Sequence, residues 1–117
     1  MKKELEERLV EFSVMIFNLS RLVDKTFFNN YLINQLLRSS ASAALNYGEA
    51  QSAESKRDFI HKVSIVLKEL RESHINLKII AKSGVIDHPV GVADALEENN
   101  QLVAIFYKTL KTAKENG

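Results

Sequence analysis

A polar series lies inside an otherwise apolar stretch of the chain, between Gln35 and Asp58. At helical spacing its members share or border one face of a helix. Burying such side chains without hydrogen-bond partners costs about 1–3 kcal/mol each. The series therefore predicts a structural polar network inside a largely buried helix. Its members on this stretch are Arg38, Ser42, Asn46 and Glu49.

Two carboxylates farther along the chain can complete this network. A guanidinium inside a helical bundle favours carboxylate partners. When the two segments are paired antiparallel about the intervening turn, Arg38 lies opposite Glu69, and Glu72 follows one turn later. We predict that Arg38 is buried and paired with Glu69 or Glu72, that Glu49 lies near residues 57–58, and that the network fixes the register of the two helices.

A catalytic role for the same carboxylates is the weaker alternative. An enzyme would use Glu49, Glu69 and Glu72 as its carboxylate site. The chain contains no cysteine and three histidines. Asp58 and His61 have the spacing of a ligand pair in di-iron bundles, but the sequence offers no second pair. We therefore expect no enzymatic activity, no metal site and no cofactor.

A second stripe on the later helical segment is basic. Its members are separated by 11, 3, 7 and 4 residues, which places them on one face of a helix and could align them with nucleic-acid phosphates. An ordinary solvated face is the alternative, because lysine and arginine are common there. The net charge of +1 lends little support to nucleic-acid binding, although the local field matters more than the net charge. The predicted phosphate-binding residues are Arg57, Lys68, Arg71, Lys78 and Lys82.

The elements that position these residues are helices. Apolar residues recur at steps of three and four through nearly the whole chain, and there are only one proline and four glycines. This periodicity predicts an all-α protein, and short connections favour an antiparallel up-down-up-down four-helix bundle. We expect a single domain over residues 1–117. The predicted helices cover residues 2–25, 29–50, 55–82 and 92–114, with a loop at Val85–Gly91.

Local signals mark several of the predicted helix ends. Asn29 or Asn30 is a good N-cap for the second helix. Ser55 opens a sequence that resembles a capping box at the start of the third helix. Gly84 is a natural stop just after the third helix.

The second predicted helix is almost uncharged on every face. Residues 26–51 contain one basic and one acidic side chain, Arg38 and Glu49. Bundle helices normally present a charged outer face, so this one indicates a partner, most simply another copy of the chain. A tolerated apolar surface is the alternative. The predicted outer face consists of Phe27, Phe28, Tyr31, Ser40, Ala43 and Tyr47.

No membrane association is expected. The sequence has no run of about 18 apolar residues that could cross a bilayer. The charged N-terminal residues are not followed by the apolar region of a signal peptide. The lack of cysteines is compatible with a reducing compartment. We therefore expect a cytoplasmic location.

The motifs of the second and third helices together resemble a known family. The chain is similar to the four-helix-bundle family of 23S-rRNA intervening-sequence proteins, which are encoded within insertions in bacterial 23S rRNA genes and elsewhere in bacterial genomes. The resemblance covers nearly the whole chain. It rests on Arg38-Ser39-x-x-Ser42-x-x-x-Asn46-x-x-Glu49-Ala50, Ser55-Lys56-x-Asp58-Phe59-Ile60 and Lys68-Glu69-x-x-Glu72.

The resemblance implies a bundle that assembles into a ring, with a homopentamer as the expected state. The related accessory proteins of diversity-generating retroelements are similar barrels whose basic surfaces engage nucleic acid and a reverse transcriptase. Our leading interpretation is a non-enzymatic oligomeric bundle that binds RNA or a nucleic-acid-processing partner through the basic helix face. A protein-interaction scaffold without nucleic-acid binding is the alternative.

Overall fold

Four α-helices account for most of the chain. The computed structural model describes residues 2–116, with side chains from residue 4 onward. Over these residues there is no β-strand; Val23 and Ile86 form one isolated antiparallel β-bridge. The helices are α1 (Lys2–Ser20), α2 (Phe27–Gln51), α3 (Lys56–Ser83) and α4 (Pro89–Glu115).

Each helix packs against its neighbours in chain order, and α1 closes the bundle against α4. Paired positions fix the directions. Ser39 contacts Ser73 and Glu49 contacts Lys62, so α2 and α3 run antiparallel. α3 packs against α4, where Leu70 contacts Asn99, and the four helices form a compact bundle of 47 × 22 × 20 Å. This confirms the predicted all-α four-helix bundle.

The core lies along the axis of the bundle and is filled mainly by aliphatic side chains with two phenylalanines. The buried stripe of α1 has steps of three and four residues, which is the helical period. Such a layer holds the four helices together because it removes apolar surface from water. The largest fully buried apolar side chains are Leu9, Phe12, Ile16, Leu36, Leu70, Leu77, Ile80, Leu102 and Phe106.

The ends of α3 match the sequence signals, but other helix ends differ. Ser55 accepts a hydrogen bond from the Asp58 backbone NH, and Gly84 ends α3 in the left-handed conformation with φ of 72°. The first helix stops at Ser20 rather than residue 25, because the chain then turns and Val23 bridges to Ile86.

The predicted starts of α2 and α4 also differ from the observed starts. Thr26, not an asparagine, caps α2 by accepting a hydrogen bond from the Asn29 backbone NH. Pro89 is the first residue of α4 rather than part of a loop, since its fixed φ suits the first helical turn. His88 Nδ1 caps this helix by accepting a hydrogen bond from Gly91 at 2.8 Å.

The predicted outer face of α2 is wrong in half of its members. Phe27, Phe28 and Tyr31 are exposed as predicted. Farther along α2, Leu45 is exposed instead, and Ala41 is half-buried. The error arises because small apolar residues lie on every face of α2. The hydrophobic periodicity therefore does not show which face of the helix points into the core. The three predicted outer residues that are buried are Ser40, Ala43 and Tyr47.

Over the described residues, no helix combines the length and the apolar character that crossing a membrane requires.

Candidate functional site: a polar network beside a basic ridge

Arg38 joins two carboxylates of α3. Its Nη1 donates to Glu69 Oε2 at 3.1 Å, and its Nη2 donates to Glu72 Oε1 at 2.9 Å. Ser42 Oγ donates to the same Glu69 oxygen at 2.9 Å. Asn46 Nδ2 donates to the backbone carbonyl of Ser42 at 2.9 Å and to its hydroxyl at 3.1 Å. The predicted pairing of Arg38 is thus present, with both carboxylates at once.

The network is buried only on the α3 side. The Glu69 side chain is 8% exposed, whereas that of Arg38 is 52% exposed. The prediction that Arg38 is buried is therefore wrong. A long side chain can place its charged head at the surface while its stem follows the protein. The guanidinium covers the buried carboxylate from the solvent side.

The electrostatics of the network favour ionised groups. Burial alone would raise the pKa of Glu69, but hydrogen bonds from Arg38 and Ser42 outweigh it, and the pKa is lowered. Hydrogen bonding to Glu69 is the main cause that raises the pKa of Arg38. Both groups thus hold their charges at neutral pH. Such a fixed ion pair is suited to holding two helices together rather than to transferring protons.

Glu49 belongs to a separate ion pair. Its Oε1 accepts a hydrogen bond from Lys62 Nζ at 2.6 Å, so its partner lies one helical turn beyond the predicted neighbours at residues 57–58. Helical side chains lean toward the N-terminus of their own helix. On antiparallel helices this moves each contact on α3 farther from the connecting turn than a symmetric pairing suggests.

Three polar contacts between helices escaped the sequence analysis. Ser39 Oγ and Ser73 Oγ are 2.7 Å apart in the core. Asn99 Nδ2 donates to the Leu70 carbonyl at 3.2 Å, and its polar character inside an apolar stripe was the available signal. Arg8 forms two hydrogen bonds with Glu98, at 2.7 and 3.0 Å. Nothing in the sequence indicates this last pair, because α1 and α4 lie far apart in the chain.

The five predicted phosphate-binding residues lie on one face of α3 and are all exposed. We call this face the basic ridge. Lys68 Nζ is 3.9 Å from Glu72 Oε2. Within residues 4–116, the other four cations form no ion pair with a carboxylate. The ridge consists of Arg57, Lys68, Arg71, Lys78 and Lys82.

A groove runs between α2 and α3 beside the ridge, with a volume of about 820 Å³. Tyr31, Ile75 and Ile79 form its apolar part and are exposed. Arg38, Lys68, Arg71 and Glu72 also line it. The groove brings Tyr31 of α2 together with Lys68 and Arg71 of the ridge. We call this surface the α2–α3 groove.

Among the residues that the structure describes, no cluster of three histidine, aspartate or glutamate side chains could hold a metal ion. The groups that the structure brings together in this region are ion pairs, exposed cations and apolar side chains.

Comparisons with known proteins place this geometry in a family. A family model described as 23S rRNA-intervening sequence protein matches residues 2–108. A similar fold occurs in a crystal structure of a protein with unknown function from the S23 ribosomal protein family of Bacteroides thetaiotaomicron VPI-5482. The TM-score is 0.81 and the identity 25%, over 92% of this chain and 98% of that chain. The comparison with curated proteins gave no match. The chain belongs to the family of 23S rRNA-intervening sequence proteins.

Proposed function

We propose that this protein is a non-enzymatic, oligomeric helical bundle that binds RNA or a ribonucleoprotein partner through the basic ridge of α3. One observation carries the proposal: five cations share one exposed face, and four of them have no carboxylate partner within the described residues. Unpaired surface cations aligned along a helix are the arrangement that phosphate backbones attract.

The polar network supports this role. Glu69 and Glu72 lie on α3 close to the ridge, and their negative charges would weaken its field. Arg38 reaches across from α2 and pairs with both carboxylates. The one positive charge that Arg38 supplies from α2 therefore offsets part of this negative charge, which leaves more of the field of the α3 cations to a ligand. The network itself holds helices in register and has no proton-transfer role at neutral pH.

Assembly would strengthen such binding. A homo-oligomer, with five chains as the expectation from the family resemblance, repeats the ridge once per chain. Several ridges on one particle can contact a single RNA molecule, and linked contacts raise the overall affinity without any new interaction per ridge.

The test is filter binding of RNA over a salt series, with a triple variant of Arg57→Glu, Lys78→Glu and Lys82→Glu. The affinity of the native protein should fall steeply with salt. For single strands the slope is about 0.7 log units per log unit of salt for each phosphate neutralised. The triple variant should bind more weakly and with a shallower slope.

A matched control changes the net charge equally on another helix. Lys108, Lys111 and Lys114 are exposed on α4, so their replacement by glutamate should leave the slope close to that of the native protein. Circular dichroism and the particle mass verify folding and assembly in both variants. Equal affinity and slope in the native protein and the ridge variant would contradict the proposal and favour the protein-interaction scaffold.

A further inference from the structure

Two exposed apolar surfaces lie on different sides of the bundle. One is the α2–α3 groove, with Tyr31, Ile75 and Ile79. The other is on α1, a helix that does not pack against α3. Soluble monomers rarely leave large apolar side chains aligned on a surface without a use for them.

The surface on α1 is a stripe with acidic neighbours. Val10, Val14 and Phe17 recur at steps of four and three residues and are all between 42% and 51% exposed. Glu7 and Glu11 lie beside them, are exposed, and form no ion pair within the described residues. We call these five residues the α1 stripe.

The two surfaces match in charge. Beyond its apolar residues, the α2–α3 groove continues into Lys68 and Arg71, and Arg71 has no carboxylate partner in the described chain. The acidic end of the α1 stripe would meet these cations if the apolar parts of the two surfaces were in contact. Such complementarity favours one orientation and disfavours the reverse.

The two surfaces also match in length. From Glu7 to Phe17 a helix rises by about 15 Å, and from Lys68 to Ile79 by about 17 Å, at 1.5 Å per residue. Phe17 then meets Ile79, Val14 meets Ile75, and the glutamates meet the cations. This order requires the added helix to run parallel to α3 and antiparallel to α2.

We propose that the α1 stripe of one copy of this chain binds in the α2–α3 groove of the next copy. The inference rests on the proposed assembly and specifies its contact. Because two different surfaces meet, the contact is heterologous, and repeating it generates a ring when the rotation closes. Lys68 and Arg71 then contact the neighbouring chain, while Arg57, Lys78 and Lys82 remain for phosphates.

Cysteine cross-linking tests the register directly, since the native chain has no cysteine. In the double variant Val14→Cys, Ile75→Cys, oxidation should give a ladder of covalent multimers on a non-reducing gel. A mixture of the two single variants should give covalent dimers. Val14 and Ile75 are both exposed, on the diagonally opposed helices α1 and α3, whose backbones do not approach each other, so a disulfide within one chain is excluded. The matched control, Val14→Cys with Lys111→Cys, should not form the ladder.

Charge reversal tests the orientation. The variant Glu7→Lys, Glu11→Lys should assemble at least about tenfold more weakly, as measured by light scattering over a concentration series, because like charges then face each other. Adding Lys68→Glu and Arg71→Glu to the same chain should restore the mass.

The outcomes separate this contact from the proposed assembly. A native chain that is monomeric would contradict both. An oligomer without the ladder, or one in which Val14→Cys alone cross-links to itself, would overturn only the proposed contact. If Lys68→Glu, Arg71→Glu lowers RNA binding and leaves the mass unchanged, the groove is an RNA surface and the contact between copies is wrong.

Discussion

Arg38 combines an exposed guanidinium with a buried carboxylate partner. Glu69 keeps only 8% of its side chain exposed, and one of its oxygens, Oε1, has no hydrogen-bond partner. The other oxygen depends on Arg38 and Ser42. Because the carboxylate is buried and one of its oxygens has no hydrogen-bond partner, the free energy of keeping it ionised in the folded protein depends on the cation beside it.

Replacement of Arg38 by alanine should therefore destabilise the bundle by about 1–3 kcal/mol, the usual cost of leaving a buried group without its partner. The half-exposed guanidinium is screened by water, so the larger cost of breaking a fully buried pair is not expected. Urea unfolding at pH 7 measures the change. Lys62→Ala, which removes an ion pair to the exposed Glu49, should shift the midpoint less. Equal shifts would show that Arg38 acts as ordinary surface.

The destabilisation caused by Arg38→Ala should depend on pH in one direction. The pKa of Glu69 is lowered in the folded state, so its contribution is complete above the unfolded pKa of about 4.3 and is lost as pH falls through the lower folded value. The difference in stability between the native protein and Arg38→Ala should therefore shrink below about pH 4. A difference that persists unchanged into acid would contradict this account of Glu69.

At the level of the elements, the sequence predicts where the helices lie more reliably than which face of each helix is buried. The apolar stripe of α1 and the cap and stop of α3 follow from spacing and from residue chemistry at Ser55 and Gly84. For α2, almost every position is apolar or small, so several phases bury similar areas. Packing against α1, α3 and α4 decides among them, and that information lies in other segments of the chain.

The corrected phase of α2 is tested by two of its large side chains. Tyr47 is buried and packs edge-on against Phe106, with 5.1 Å between ring centroids. Tyr47→Ala should cost about 3 kcal/mol or more, because it leaves a cavity in the core. Leu45 is 68% exposed, so Leu45→Ala should change the unfolding free energy by no more than about 0.5 kcal/mol. The reverse order would restore the phase inferred from sequence.

At the scale of the whole molecule, the sequence predicts that an apolar surface is exposed but does not identify all the residues that form it. The scarcity of charge on α2 correctly drew attention to Phe27, Phe28 and Tyr31, which are exposed. It could not identify the α2–α3 groove, which needs Ile75 and Ile79 from another helix. Surfaces shared by two helices arise from tertiary packing and have no signature within either segment.

If assembly covers these apolar surfaces, folding and association are linked. Unfolding then includes dissociation, and the apparent stability depends on protein concentration. The thermal midpoint of the native protein should rise by about 5 °C or more over a hundredfold increase in concentration. Circular dichroism at two concentrations, with light scattering at each, measures this.

Val14→Glu provides the control for that measurement. Val14 is 51% exposed, so a glutamate there leaves the core intact but places a charge in the α1 stripe. The variant should keep its helical content, assemble more weakly, and melt at a lower temperature that varies less with concentration. A native midpoint that is independent of concentration, in a particle whose mass is several times 13.3 kDa, would show that the contacts between chains do not stabilise the bundle. The exposed apolar side chains of α1 and of the α2–α3 groove would then require another partner.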